Sequence, residues 1–241
     1  MTFGTWGPAL SYLFKNLAQK TAHILCPRYC FACGRLLRPE ETLFCRPCSS
    51  TLPENTNPCP RCGRPLKTAE ALCLACFREE KLITRVFSPF LYERPIKDLI
   101  KAYKYGRRVY LARELARLLK RLYPEELLLA QSPVCPVPLH RRRLWTRGFN
   151  QSHLLAREIF GRRRVKNFLT RPKYTRPQVG LSAKERLKNV KGAFALKEKP
   201  PPRLILFDDV LTTGATAREC ARTLSQAGVK EVWLAVVAAT G

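Results

Sequence analysis

Two groups of residues in this chain have the types and spacing to do chemistry. The first is a set of cysteines. Cys30-Phe-Ala-Cys33 is followed after eleven residues by Cys45-Arg-Pro-Cys48, and Cys59-Pro-Arg-Cys62 is followed after ten by Cys73-Leu-Ala-Cys76. A C-x-x-C-Gly turn aims two thiolates at one point while backbone amides offset their charge. Two such turns complete the tetrahedral sulfur shell that Zn²⁺ prefers. Eight of the eleven cysteines fit this pattern within 47 residues, and CFACGRLL at Cys30 repeats as CPRCGRPL at Cys59, 29 residues on. Each repeat is expected to close on itself. Cys30, Cys33, Cys45 and Cys48 would then hold one structural Zn²⁺, and Cys59, Cys62, Cys73 and Cys76 a second, with crossed pairing as the alternative. Disulfides would need an oxidising compartment, and iron–sulfur ligation is the other use of four thiolates. Cys26 is a substitute ligand; Cys135 and Cys220 read as core residues.

The second group is the run Leu204-Ile-Leu-Phe-Asp-Asp-Val-Leu-Thr-Thr-Gly-Ala-Thr216. A buried strand leads into two acids, then a hydroxyl-rich turn opens a helix at Ala215. The amides of that turn, the hydroxyls of Thr212, Thr213 and Thr216 and the helix start make a cradle for a phosphate monoester. Asp208 and Asp209 are placed to accept hydrogen bonds from vicinal ribose hydroxyls, and Gly214 allows close approach of the backbone. An Asx-turn with a threonine cap would explain one acid and one threonine of this run, not all of it.

Charge adds a third feature. The chain carries 44 Lys and Arg against 18 Asp and Glu, a net +26. Residues 1–80 hold 10 basic and 6 acidic side chains, residues 81–241 hold 34 and 12. Between Arg141 and Arg176 there are twelve bases and one acid, Glu158. Such a surplus asks for a polyanion; a thermophile-like surface would interleave glutamate. Arg141, Arg142, Arg162, Arg163 and Arg164, with Trp145 and Tyr174 to stack on bases, are the candidates for contact with single-stranded DNA. Phe149 and Phe168 read as core.

Elements must position these residues. Apolar runs at Val86–Tyr92, Val134–Leu139, Arg164–Leu169, Leu204–Phe207 and Val232–Ala239 read as strands. Helical patterns fall at Pro95–Tyr105, at Tyr110–Tyr123 with a leucine stripe, at Asn150–Phe160 and at Ala215–Gln226. Alternation of this kind makes an α/β fold, a parallel sheet with helices on both faces and its site beyond the carboxyl ends of the strands. Three regions follow: an amphipathic helix over 1–25, a cysteine-rich region over 26–80 and the sheet domain over 81–241. No stretch reaches the roughly 18 apolar residues of a membrane span, and the N-terminus lacks the marks of a signal peptide. Residues Phe3, Trp6 and Phe14 leave peripheral membrane contact open.

The run ending at Thr216 resembles the phosphoribosyl-pyrophosphate loop of type I phosphoribosyltransferases, with Ala215 where a second glycine is frequent. Four further stretches resemble the ComF family: Pro95-Ile-Lys-Asp-Leu-Ile-Lys-Ala-Tyr-Lys-Tyr-Gly106, Val137-Pro-Leu-His140 with Arg143, Arg147-Gly-Phe-Asn-Gln-Ser152, and Gln178-Val-Gly-Leu-Ser182 with Arg186 and Asn189. With the cysteine repeat, the resemblance covers the chain beyond residue 25. It implies a type I phosphoribosyltransferase-like fold after a double zinc ribbon, with 85–130 as a hood and 132–241 as the sheet core. It implies phosphoribosyl pyrophosphate with Mg²⁺ at Asp208, Asp209 and Thr212–Thr216, its pyrophosphate near Arg143 and Arg147 and under a loop bearing Lys173, Arg176 and Arg186. It also implies a role in natural competence on the cytoplasmic side of the inner membrane, with single-stranded DNA and other DNA-uptake proteins as partners. Whether a reaction is catalysed stays open between a DNA-binding protein, a phosphoribosyltransferase with an unidentified acceptor and a non-catalytic scaffold. His140 and His153 are the candidate bases.

Overall fold

The computed structural model describes residues 27–66, 72–77, 82–106, 108–175 and 182–241. The expected N-terminal helix, Cys26, Arg176 and residues 178–181 lie outside them. The chain divides into two compact units, Met1–Leu52 and Pro53–Gly241.

The first unit carries one cysteine repeat and the second unit begins with the other; their backbones match bond for bond. In the first, Cys30 N–H donates to the Arg35 carbonyl, Gly34 N–H to Cys30 and Leu37 N–H to Arg28; in the second, Cys59 donates to Arg64, Gly63 to Cys59 and Leu66 to Asn57. Gly34 and Gly63 sit at φ 72° and 68°, a conformation that L side chains rarely adopt. In the second cysteine pair of each repeat, the first cysteine immediately precedes a one-turn helix and the second lies in it: α1 (Arg46–Ser49) after Cys45 and α2 (Leu74–Phe77) after Cys73.

The rest of the second unit is α/β. Its elements in chain order are β1 (Arg85–Phe87), β2 (Phe90–Leu91), α3 (Ile96–Tyr105), α4 (Leu111–Leu122), α5 (Glu125–Leu129), β3 (Val134–Pro136), α6 (Arg141–Arg147), α7 (Gln151–Phe160), β4 (Leu169–Thr170), α8 (Ala183–Val190), β5 (Ala195–Leu196), β6 (Arg203–Leu211), α9 (Ala215–Gln226) and β7 (Glu231–Ala239). The sheet runs β1-β7-β6-β3, with β2 also on β7, and every pairing in it is parallel. Its central strands carry uninterrupted apolar runs, Leu204–Phe207 in β6 and Val232–Ala239 in β7, because both faces are covered. On one face Leu204 and Leu206 share a buried cluster with Ala217, Cys220, Ala221 and Leu224 of α9. On the other Phe207 meets Phe160 of α7 edge-on. Cys135 and Cys220 are fully buried in this core.

Several elements depart from the sequence pattern, each for a physical reason. The apolar run suggests a strand ending at Phe207, but β6 continues to Leu211 because Asp208 and Val210 pair with Val236 and Ala238. The stretch Val86–Tyr92 is broken by Ser88-Pro89 into β1 and β2. The stretch Arg164–Leu169 contributes a bridge from Val165 to Val134 and then leaves the sheet, its end pairing with β5 instead. The basic segment after β3 is not a turn alone: Val137–His140 is short, His140 caps α6 by accepting from Arg142 N–H, and Gly148 ends it in the left-handed region.

Candidate metal centres and anion-binding cavity

The sulfurs of Cys30, Cys33, Cys45 and Cys48 lie within 4.8 Å of one another, as do those of Cys59, Cys62, Cys73 and Cys76. A tetrahedral zinc with Zn–S of about 2.3 Å separates its sulfurs by roughly 3.8 Å. Cys33 and Cys45 stand at 3.8 Å and Cys62 and Cys73 at 3.6 Å. Both sets therefore fit structural zinc. In each, burial works against ionising the first cysteine, but backbone N–H groups outweigh it, holding Cys30 at about 6 and Cys59 at about 7. Hydrogen bonds from neighbouring thiols, Cys45 first, push Cys48 up to about 12, while burial is the main cause that pushes Cys62 up to about 11. Four thiols in one place ionise together only around a cation.

The second ribbon is built into the sheet unit. Val86 N–H donates to the Pro60 carbonyl at 2.6 Å, and Asn55 Nδ2 donates to Gly63 at 2.8 Å. A Cβ on Gly63 would stand 2.9 Å from Val86 and 3.4 Å from Leu211. The knuckle Cys59–Cys62 thus leans on β1 and on the residue that opens the threonine turn.

That turn borders a cavity of about 820 Å³ at the carboxyl end of the sheet. Thr212, Gly214, Ala215 and Thr216 line it, together with Asp208 and Asp209. Thr213 faces the other way, into a small space shared with Arg61, Cys62 and Arg218, and its Oγ1 accepts from Ala215 N–H at 3.4 Å. Gly214 is at φ 75° and caps α9. Its side of the turn is open, with no atom closer than 3.6 Å to an added Cβ, so glycine is needed there for conformation rather than for room.

The two acids have different partners. Asp208 Oδ1 accepts from Ser152 Oγ and from Asp209 N–H, both at 2.9 Å. Burial, then the neighbouring carboxylate, pushes Asp208 up to about 7, against the pull of Lys104. Asp209, only 4% exposed, binds Lys104 Nζ through Oδ1 at 2.9 Å. Burial would lower the Lys104 ammonium, but Asp209 outweighs it and raises it. Asp209 Oδ2 is buried without a hydrogen-bond partner among the described residues, and so is Arg171 Nε on the same cavity. One unpartnered atom on each of two oppositely charged side chains lining one space leaves capacity for a ligand with both donors and acceptors.

The cations come from three elements. Arg143 and Arg147 reach in from α6, Arg186 from α8, and Lys97, Lys101 and Lys104 from α3. Arg143 also donates to the Thr175 carbonyl at 2.9 Å, and Arg171 to Thr175 Oγ1 at 2.6 Å. The three lysines and Arg171 are absent from the candidates drawn from sequence. The signal of the lysines lies in the α3 motif, where Ile96, Leu99, Ile100 and Tyr103 are buried and the neighbouring stripe reads Lys97, Lys101, Lys104; Arg171 has no such local signal.

Beyond the cavity, α6 turns Arg141, Arg142 and Trp145 outward, Trp145 at 91% exposure. The Arg142 guanidinium lies 5.2 Å from the Tyr174 ring centroid. Arg162 and Arg163 are exposed, whereas Arg164 is turned inward to the carbonyls of Leu128 and Ser132. Phe149 packs on Tyr103 and Phe168 is buried. His140 is taken up in capping, and His153, which is not among the residues lining the cavity, meets Asn167 Oδ1 through Nδ1 at 3.2 Å. Lys173 donates to the Lys191 carbonyl. Among the described residues no helix is long and apolar enough to cross a membrane.

Two cysteine sets ahead of a parallel α/β sheet define a zinc-ribbon protein, and the family model for a double zinc ribbon domain matches residues 21–79. The chain is 33% identical over 217 residues to competence protein F of Haemophilus influenzae, covering 84% of this chain and 93% of that one. It is 34% identical over 222 residues to the DNA utilization protein YhgH of Salmonella typhimurium, covering 86% and 96%. The competence protein ComFC of Bacillus subtilis is 29% identical over 213 residues, covering 80% and 82%. The chain belongs to the ComF family.

Proposed function

We propose that the protein binds single-stranded DNA during DNA uptake, on the cytoplasmic side of the membrane, and holds phosphoribosyl pyrophosphate in the cavity beside that surface. The observation that carries this reading is the division of α6 between the two. Arg143, Thr146 and Arg147 line the cavity, while Arg141, Arg142 and Trp145 are exposed on the same two turns. The names of the relatives, competence protein and DNA utilization protein, agree with a DNA-handling role. In the cavity the threonine turn would take the 5-phosphate, Asp208 and Asp209 the ribose hydroxyls, and Arg143, Arg147 and Arg186 the pyrophosphate. The cysteine sets are the groups of three or more His, Cys, Asp or Glu side chains that could hold an ion among the described residues. Mg²⁺ would be held chiefly by the ligand's own phosphates, as this ion commonly is, and would offset their charge there.

A second reading, phosphoribosyl transfer to an acceptor, is favoured by the paired acids, and release of pyrophosphate in the presence of an acceptor would mark it. The DNA surface is tested by binding of a labelled single strand across a salt series. Each phosphate neutralised contributes about −0.7 to the slope of log affinity against log salt. Arg141→Glu with Arg142→Glu should flatten that slope by at least about 1.4. Trp145→Ala should weaken binding by roughly 1–3 kcal/mol at every salt, whatever the sequence. If slope and affinity stay at parent values in both variants, the strand does not bind on α6.

A further inference from the structure

We infer that the lysine stripe of α3 is a second anion subsite of the cavity, and that the molecule meeting the sugar phosphate there carries a phosphate monoester next to a planar ring. The inference rests on the reading that the turn Thr212–Thr216 binds a sugar phosphate.

The order of the strands sets out the argument. The sheet runs β3, β6, β7 and then β2. The element after β3 brings Arg143 and Arg147, the turn after β6 brings the threonines, and the element after β2 brings Lys97 and Lys101, all onto one cavity. The threonine turn and the two acids thus lie between two cationic walls. A phosphate in the turn and a pyrophosphate toward α6 use one wall and leave the other unmatched.

On the unmatched wall the lysines are not alike. Lys104 is spent on Asp209 at 2.9 Å, leaving Lys101 and Lys97, about one and two turns further toward the start of the helix, to line the space. Asp98, on the same helix, is paired with Arg94 instead. A neutral acceptor would find little to bind here: Lys97 is half-buried and Lys101 exposed at the edge of the cavity, two ammonium groups side by side favour an anion, and lysine is a common phosphate binder. The rings are the other half of the match. Tyr92 and Tyr105 also line the cavity, with Lys97 Nζ 5.9 Å from the Tyr92 centroid and Arg147 5.1 Å from that of Tyr105. An aromatic ring with a cation beside it suits a nucleobase with its phosphate close by. The shared chemistry is a nucleoside 5′-monophosphate, whether free or as the phosphorylated end of a DNA strand.

Calorimetric titration of the full-length, zinc-loaded protein tests this, with ribose 5-phosphate held at saturation. A deoxynucleoside 5′-monophosphate should bind at least about tenfold more tightly than its nucleoside. Lys97→Gln with Lys101→Gln should erase that preference and leave the affinity for ribose 5-phosphate unchanged. A short oligonucleotide offered with and without its 5′-phosphate separates the sources. A preference for the phosphorylated strand assigns the subsite to a DNA end, and none assigns it to free nucleotides. Equal binding of nucleoside and nucleotide, no binding of the nucleotide at millimolar concentration, or a preference that survives the double substitution would overturn the inference. Ribose 5-phosphate alone is the separate arm for the threonine turn. If it fails to bind while the lysine-dependent preference persists, the turn is misread and the subsite stands.

Discussion

Replacing Cys62 by serine should leave the protein with one zinc ion per chain instead of two, and should also abolish its response to sugar phosphates. A structural zinc contributes about 10–16 kcal/mol of apparent binding free energy to a small ribbon, as much as the roughly 5–15 kcal/mol that stabilises a whole domain. At this ribbon the loss cannot stay local. The Pro60 carbonyl accepts from Val86 N–H and the Gly63 carbonyl from Asn55 Nδ2, and Gly63 lies against Leu211, one residue before the threonine turn. Cys33→Ser is the comparison, since its ion belongs to the other unit; it should release one zinc and keep the ligand response. Elemental analysis and limited proteolysis around residues 53–66 read the first effect, and ligand-induced thermal shift the second. A Cys62→Ser protein that keeps both ions, or loses one and still responds to ligand, would show that the ribbon does not support the turn.

The second large effect is at Lys104. Its ammonium is the ion-pair partner of Asp209, and both side chains are well buried, at 17% and 5% exposure. Removing one member of such a pair leaves an uncompensated charge and typically costs about 3–5 kcal/mol. Lys104→Met should therefore lower the melting temperature by roughly 6–20 °C for a unit of this size. Adding Asp209→Asn removes the stranded carboxylate, so the double variant should be more stable than Lys104→Met alone. A single variant that melts with the parent would mean that the pair is not formed in solution.

How much of this was legible without a fold depends on whether the chemistry is local. The zinc ligands are, because each C-x-x-C turn fixes its own geometry, and the 29-residue repeat reappears as the same set of backbone bonds. The helix from Ala215 to Gln226 was legible from its glycine and its apolar spacing. The length of β6 was not, since its last residues are held by β7, from outside the local sequence. Arg164 reads as a solvated charge in its basic run, yet Leu128 and Ser132, both more than 30 residues earlier, hold it inward. Lys104 reads as one more base in a basic chain, and only the fold brings it to Asp209. The division of α6 into two faces is likewise invisible until the cavity gives the helix an inside.

The central claim is that the cavity beside the threonine turn holds phosphoribosyl pyrophosphate, and a thermal-shift titration with Mg²⁺ tests it most directly. At a hundredfold excess over its dissociation constant a ligand adds about 2.7 kcal/mol, which should raise the melting temperature by roughly 5–10 °C. Asp208→Asn should remove the shift, because it takes away a carboxylate acceptor for the ribose hydroxyls while leaving the Lys104–Asp209 pair intact. Thr212→Ala with Thr216→Ala should remove it through the phosphate. A parent protein whose melting temperature does not move at millimolar phosphoribosyl pyrophosphate, or one whose shift survives both sets of substitutions, would contradict the account.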